Sequence, residues 1–119
     1  MHALIVDDDE PSCQLLEKVL KRGGLTADWT TNGRTGLAWS VVRSYDLFLL
    51  DVHMPELCGT ELAAAIKQNQ STAKIILISA FPHQTSQHIA HTLDIPLLAK
   101  PFSPSSLLAL TSQVLLPSW

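Results

Sequence analysis

Positive charge is scarce in this chain. Eight Lys and Arg stand against eleven Asp and Glu, giving a formal net charge of −3, and no basic run occurs. Such a balance offers no field for a phosphate backbone, so direct nucleic-acid binding by this segment is not expected. Cysteine is scarcer still: Cys13 and Cys58 are too few and too unpatterned for a disulfide framework or a zinc site, and both are read as free thiols. No apolar run approaches bilayer-spanning length, and the apolar start Met1 to Val6 lacks the basic residues and cleavage signal of a secretory leader. A cytoplasmic protein without a membrane partner is therefore expected. Charged residues make up only 16% against 46% hydrophobic, which excludes disorder. With 119 residues, one domain can bury a core without disulfide or metal staples.

What the chain does have is a series of short apolar runs that each stop at a polar residue. Ala3 to Val6 stops at Asp7, Asp8, Asp9 and Glu10; Leu47 to Leu50 stops at Asp51; Ile75 to Ile78 stops at Ser79; Ile95 to Ala99 stops at Lys100. Unbroken apolar runs of this length suit strands of a parallel sheet buried on both faces. Leu25 to Thr30 alternates as a weaker strand. Between the strands, helical periodicity predicts five helices. The first starts near Pro11, carries Leu15, Leu16, Val19 and Leu20, and stops at Gly23-Gly24. The second opens at Asn32-Gly33, with Leu37, Ala38, Val41 and Val42 on its apolar face. The third spans Thr60 to Gln68 and the fourth, polar one Pro82 to Leu93. The fifth is capped by Ser103-Pro104 and ended by Pro117.

Five strand-helix units in strict alternation predict a flavodoxin-like (βα)5 sandwich, a doubly wound parallel sheet of order 2-1-3-4-5 with right-handed crossovers. Ligands in such sheets bind beyond the carboxyl ends of the strands, at the switch point between strands one and three. Asp7, Asp8 and Asp51 should converge there. Three carboxylates in one crevice repel one another and call for a counter-cation. All-oxygen donors without patterned His or Cys point to magnesium, beside which a carboxylate can attack phosphorus and form an acyl phosphate. Ser79 and Lys100 would contact phosphoryl oxygens. The acids Asp9 and Glu10 are candidates to cap the first helix instead. His83, His88 and His91 fall in the fourth helix, where solvated side chains are the simplest reading.

These segments, LIVDDDEP, NGRTGL, YDLFLLDVHMPELCGTEL, IILISAF and AKPFSPSSLL, resemble in order the receiver domain of two-component response regulators. The resemblance covers residues 1–116, with 117–119 as a C-terminal end and possible start of a linker. It implies a phosphoacceptor at Asp51, served by a histidine kinase or phosphotransfer protein. It implies magnesium on Asp7, Asp8, Asp51 and the backbone carbonyl of His53, a switch hydroxyl at Ser79 and a phosphate-binding Lys100 before a cis Pro101. It also implies an output domain, partner protein or second copy on the face of helix four, strand five and helix five. The family's usual aromatic switch position is Leu97 here, which offers neither ring nor hydroxyl and puts the usual signalling route in doubt. His53 and Phe81 are bulky neighbours of the acceptor and the switch serine, expected to hinder the attacking water and lengthen the phosphoryl lifetime. Two other readings stand beside this one: a receiver-like interaction module that is not phosphorylated, and a phosphatase of the haloacid-dehalogenase type using Asp7 and Asp9. The second expects a further acidic pair after the lysine, and nothing acidic follows Lys100.

Overall fold

The computed structural model describes residues 1–116. The expected helix stop at Pro117 and the linker residues 117–119 lie outside the described residues. The elements follow in the order β1 (His2–Val6), α1 (Glu10–Arg22), β2 (Thr26–Thr30), α2 (Gly33–Val42), β3 (Leu47–Asp51), α3 (Gly59–Asn69), β4 (Ile75–Ser79), α4 (Gln84–Leu93), β5 (Leu97–Ala99) and α5 (Pro104–Leu115). All strand pairings are parallel and the sheet order is β2-β1-β3-β4-β5, as the alternation of elements predicts.

Alternate residues of the central strands feed two separate cores, which is why those strands read as unbroken apolar runs. Leu4, Val6, Phe48, Leu50, Ile75 and Leu77 pack with Leu62 and Ile66 of α3 on one side. Ala3, Ile5, Leu47, Leu49, Ile76 and Ile78 pack with Leu16 and Leu20 of α1 and Leu107 of α5 on the other. Each fully buried Leu, Ile or Phe contributes about 1.5–3 kcal/mol against chain entropy. The cores fix β1, β3 and β4 on both faces, so the residues that end these strands are held in register. Val6 pairs with Leu50, Asp51 with Ile78, and Ser79 with Ala99.

Several local expectations need correction. The buried residues of α2 are Gly33, Gly36 and Ser40, while Val41 and Val42 are 65% and 75% exposed and Ala38 is also exposed. The helix lies too close to β1 for large side chains: a Cβ on Gly36 would stand 2.7 Å from Val6 Cγ2. In α1 the inward stripe is Cys13, Leu16, Val19 and Leu20, and Leu15 points outward. Strand β5 is shorter than the run Ile95 to Ala99, because the Ile95 N–H is taken by the Ala90 carbonyl at the end of α4 and Pro96 has no N–H. Helix α4 begins at Gln84, after Pro82 and His83 rather than at them, and His83, His88 and His91 are exposed.

Candidate functional site

Strand β1 hands over directly to the acidic segment. Asp7 is 1% exposed, its N–H still bonds the Thr30 carbonyl (3.3 Å), and its carboxylate accepts from the Asp9 N–H (3.0 Å) and from Lys100 Nζ (3.1 Å). Asp9 turns the chain into α1, accepting from the N–H and the hydroxyl of Ser12 (3.1 and 2.7 Å). A carboxylate spent on a helix cap is not free as the second acid of a dehalogenase-type phosphatase. Asp51, the last residue of β3, is 6% exposed. Carboxylate oxygens of Asp7, exposed Asp8 and buried Asp51 all lie within 4.8 Å of one another.

That crowding has an electrostatic signature. Burial, and after it the charge of Asp7, pushes the Asp51 carboxyl up to about 7, against weaker pulls from Lys100 and the His53 N–H. Burial works against the Lys100 ammonium, but its hydrogen bond to Asp7 and the charges of Asp7, Asp51 and Asp8 outweigh this and hold it above its ordinary range. One lysine therefore faces three carboxylates. The residues present fit a hard divalent cation: oxygen donors only, converging, with negative charge in excess of the local positive charge.

Ser79 closes β4 and is fully buried. Its Oγ accepts the Phe81 N–H (3.1 Å) and shares a hydrogen bond with His53 Nε2 (2.9 Å), which also lies 3.2 Å from the Phe81 carbonyl. The Lys100 N–H donates to the Ser79 carbonyl (2.7 Å), so β5 presents Lys100 beside Ser79. The Lys100–Pro101 peptide bond is cis. Leu97, at the place of the missing aromatic, packs half-buried into the core on the α3 side. Phe81 is 75% exposed, with its ring 6.1 Å from that of His53.

Asp7, Asp8, Asp51 and Lys100 are thus brought together, and Ser79 stands at the neighbouring strand end with its hydroxyl engaged by His53. Two features escape a reading of the sequence. One is the side-chain bond from His53 to Ser79. The other is Gly59, where α3 begins so close to the end of β3 that a Cβ would overlap the Asp51 carbonyl oxygen and stand 2.6 Å from its carbonyl carbon and 2.9 Å from Val52 Cα. The Gly59 N–H also bonds the Val52 carbonyl (3.1 Å). A glycine after a buried strand is the signal that a helix can approach backbone to backbone.

The two thiols sit in different settings. Cys13 is fully buried behind the acidic segment, its Sγ donating to the Asp7 carbonyl (3.2 Å), and burial with the Asp7 charge pushes it up to about 12. Cys58 is half-buried at the N-cap position of α3, near Thr60 and Glu61. Next to Lys100 opens a mainly apolar crevice of about 430 Å³, lined by Leu15, Leu16, Ala80, Pro101 and Phe102 together with Ser12 and Lys100.

Comparison with known proteins agrees with this geometry. The family model described as response regulator receiver domain matches residues 3–112. An uncharacterized transcriptional regulatory protein of Bacillus subtilis, YbdJ, is 34% identical over 105 residues, covering 88% of this chain and 46% of that protein. The transcriptional regulatory protein CusR of Escherichia coli is 30% identical over 112 residues, covering 92% of this chain and 48% of its own length. The chain therefore spans about half the length of these curated relatives. Among solved structures, the response regulator TrrA of Thermotoga maritima, in complex with magnesium and beryllium fluoride, superposes with a TM-score of 0.87 at 31% identity, over 95% of this chain and 97% of that one. A CheY-like receiver domain protein of Methanospirillum hungatei reaches 0.91 at 23% identity, over 96% and 92% of the two chains.

Proposed function

Because this chain belongs to the response-regulator receiver family, we propose that it is phosphorylated on Asp51 and works as a conformational switch in two-component signal transduction. The observation that carries this reading is the convergence of Asp7, Asp8 and Asp51 at strand ends with Lys100 opposing them. Asp51 attacks the phosphorus of a phosphohistidine on a histidine kinase or phosphotransfer protein. The new bond joins a carboxylate oxygen to phosphorus, the nitrogen–phosphorus bond breaks, and the leaving imidazole keeps the electron pair and takes up a proton. Asp7, Asp8, Asp51 and the His53 carbonyl would hold magnesium, which when bound supplies charge neutralisation for the incoming phosphoryl group. Lys100 is already anchored by Asp7 and can turn to a phosphoryl oxygen. Ser79 gives its hydroxyl to another. The apolar crevice flanked by outward-pointing Leu15, Pro101 and Phe102 supports a protein donor, since it offers contact area beside the acceptor that a small phosphodonor would not need.

Residues 1–116 form the receiver unit in this reading, in the cytoplasm, with 117–119 as the possible beginning of a linker. The chain acts as a phosphoacceptor that supports its own phosphotransfer and dephosphorylation rather than as an enzyme with a separate substrate. Its signal passes through the surface of α4, β5 and α5 to an output domain, a partner protein or a second copy.

Intact-mass spectrometry after incubation with magnesium and acetyl phosphate tests the reading. One added phosphoryl group is expected in the wild type, dependent on magnesium and absent from Asp51→Asn. A folded wild type that gains no mass would favour an interaction module that is not phosphorylated. The same measurement followed over time tests the flanking side chains. A His53→Ala, Phe81→Ala double variant should lose its phosphoryl group about fivefold faster, a barrier change of about 1 kcal/mol. Decay at the wild-type rate would show that neither side chain hinders water.

A further inference from the structure

Resting on the proposal that Asp51 is phosphorylated, we infer that the His53 side chain is a positioning residue that holds Ser79 in its unphosphorylated setting and couples it to the start of α4, replacing the aromatic residue that Leu97 does not supply. The Ser79 hydroxyl oxygen already accepts the Phe81 N–H, and His53 Nε2 stands 2.9 Å away. With the proton on Nδ1, Ser79 donates its O–H to Nε2. With the proton on Nε2, the imidazole donates and is shared between Ser79 Oγ and the Phe81 carbonyl at 3.2 Å. With the proton on Nδ1 the serine proton is committed to His53 and cannot at the same time be given to a phosphoryl oxygen on Asp51. With the proton on Nε2 the serine proton stays available, and it is rotation of the hydroxyl toward Asp51 that breaks the bond.

The link continues past Ser79. The Phe81 N–H is tied to Ser79 Oγ, and with the proton on Nε2 its carbonyl accepts from His53 as well, so the β4–α4 loop is fastened to the switch hydroxyl. The His53 ring also packs at 5.9 Å from the ring of His83, the residue that caps α4. His83 is in turn fixed by buried Ser86, whose hydroxyl accepts the His83 N–H (3.3 Å) and donates to its carbonyl (3.0 Å). Withdrawing Ser79 removes the partner of the Phe81 N–H and one of the groups that hold the imidazole in place against Phe81 and His83. The loop and the first turn of α4 then lose a restraint together. Leu97 packs half-buried against the core on the α3 side and takes no part in this path.

Amide NMR spectra of the 15N-labelled chain, recorded free and with magnesium and beryllofluoride, test the inference. In the wild type, beryllofluoride should shift the signals of Val52 and His53 at the acceptor and those of Ala80, Phe81 and His83 to Gln87 together. Free His53→Ala and free Ser79→Ala should each carry His83 to Gln87 along the same line toward the liganded positions. Losing one neutral hydrogen bond changes the ratio of the two settings by about fivefold. The double variant should move no further than either single one, because both cut the same link. His53→Gln, whose amide can bond the serine, should return the signals toward the wild type. Signals of His83 to Gln87 that stay at wild-type positions in both single variants, while beryllofluoride still shifts Val52, would overturn the coupling and leave the phosphoacceptor reading intact. No shift at Val52 in the wild type would instead remove the phosphoacceptor reading, and the coupling with it.

Discussion

Replacing Gly59 with alanine is expected to cost about 3 kcal/mol or more and to lower the melting temperature by about 10 °C, with loss of phosphorylation at Asp51. The new methyl group would overlap the Asp51 carbonyl oxygen, and its next neighbours are the Asp51 carbonyl carbon and Val52 Cα. All three are backbone atoms, so no side chain can rotate aside. Relief requires α3 to slide away, which withdraws Leu62, Ala63 and Ile66 from their core, or β3 to bend at its last residue, which moves the acceptor. Either route ties stability to the site. Thermal unfolding and the mass assay on the same sample check it; a melting temperature within about 2 °C of wild type would show that the helix start yields without strain.

Asp51→Asn should act in the opposite direction on the magnesium-free protein and stabilise it at neutral and alkaline pH. The folded chain raises the Asp51 carboxyl from 3.8 to about 7. A raised acid contributes stability that is fully present below the unfolded value and is lost as pH rises through the folded one. The wild type therefore loses this contribution between about pH 4 and pH 8, whereas asparagine, neutral throughout, does not. An advantage of about 2 kcal/mol for the variant is expected at pH 8, equivalent to about 5–10 °C, shrinking toward zero near pH 4. Magnesium should raise the wild type and close the gap. Melting curves of the two proteins across pH, with and without magnesium, read this out, and a gap that does not change with pH would refute it.

Much of this is legible in the sequence. A buried parallel strand reads as an apolar run, and its carboxyl end shows itself when the run stops at a residue the core would reject; Asp7, Asp51 and Ser79 announce themselves that way. Ser103 and Asp9 were legible as helix caps because the chemistry of a cap is local, and both make the expected bonds. Helix α2 departs from its apolar periodicity for a physical reason. Apolar periodicity finds the side of a helix that wants burial, but α2 packs so tightly on Val6 that glycine and serine take the inside and valines the outside. Strand β5 is shorter than its apolar run, since the run Ile95 to Ala99 does not reveal that the Ile95 N–H finishes α4 instead. The contact of His53 with Ser79 joins a loop residue after β3 to the last residue of β4, 26 positions apart in the chain, and no spacing rule connects them.

The contrast between Cys13 and Cys58 has a practical consequence. Cys13 is sealed in the core, with its thiol held in the protonated form at any physiological pH. A thiol reagent applied to the native protein will therefore find Cys58, on the loop that carries the chain from Asp51 into α3. The molecule comes with a single labelling handle where an environment-sensitive fluorophore would report on the acceptor loop, and no cysteine need be added or removed.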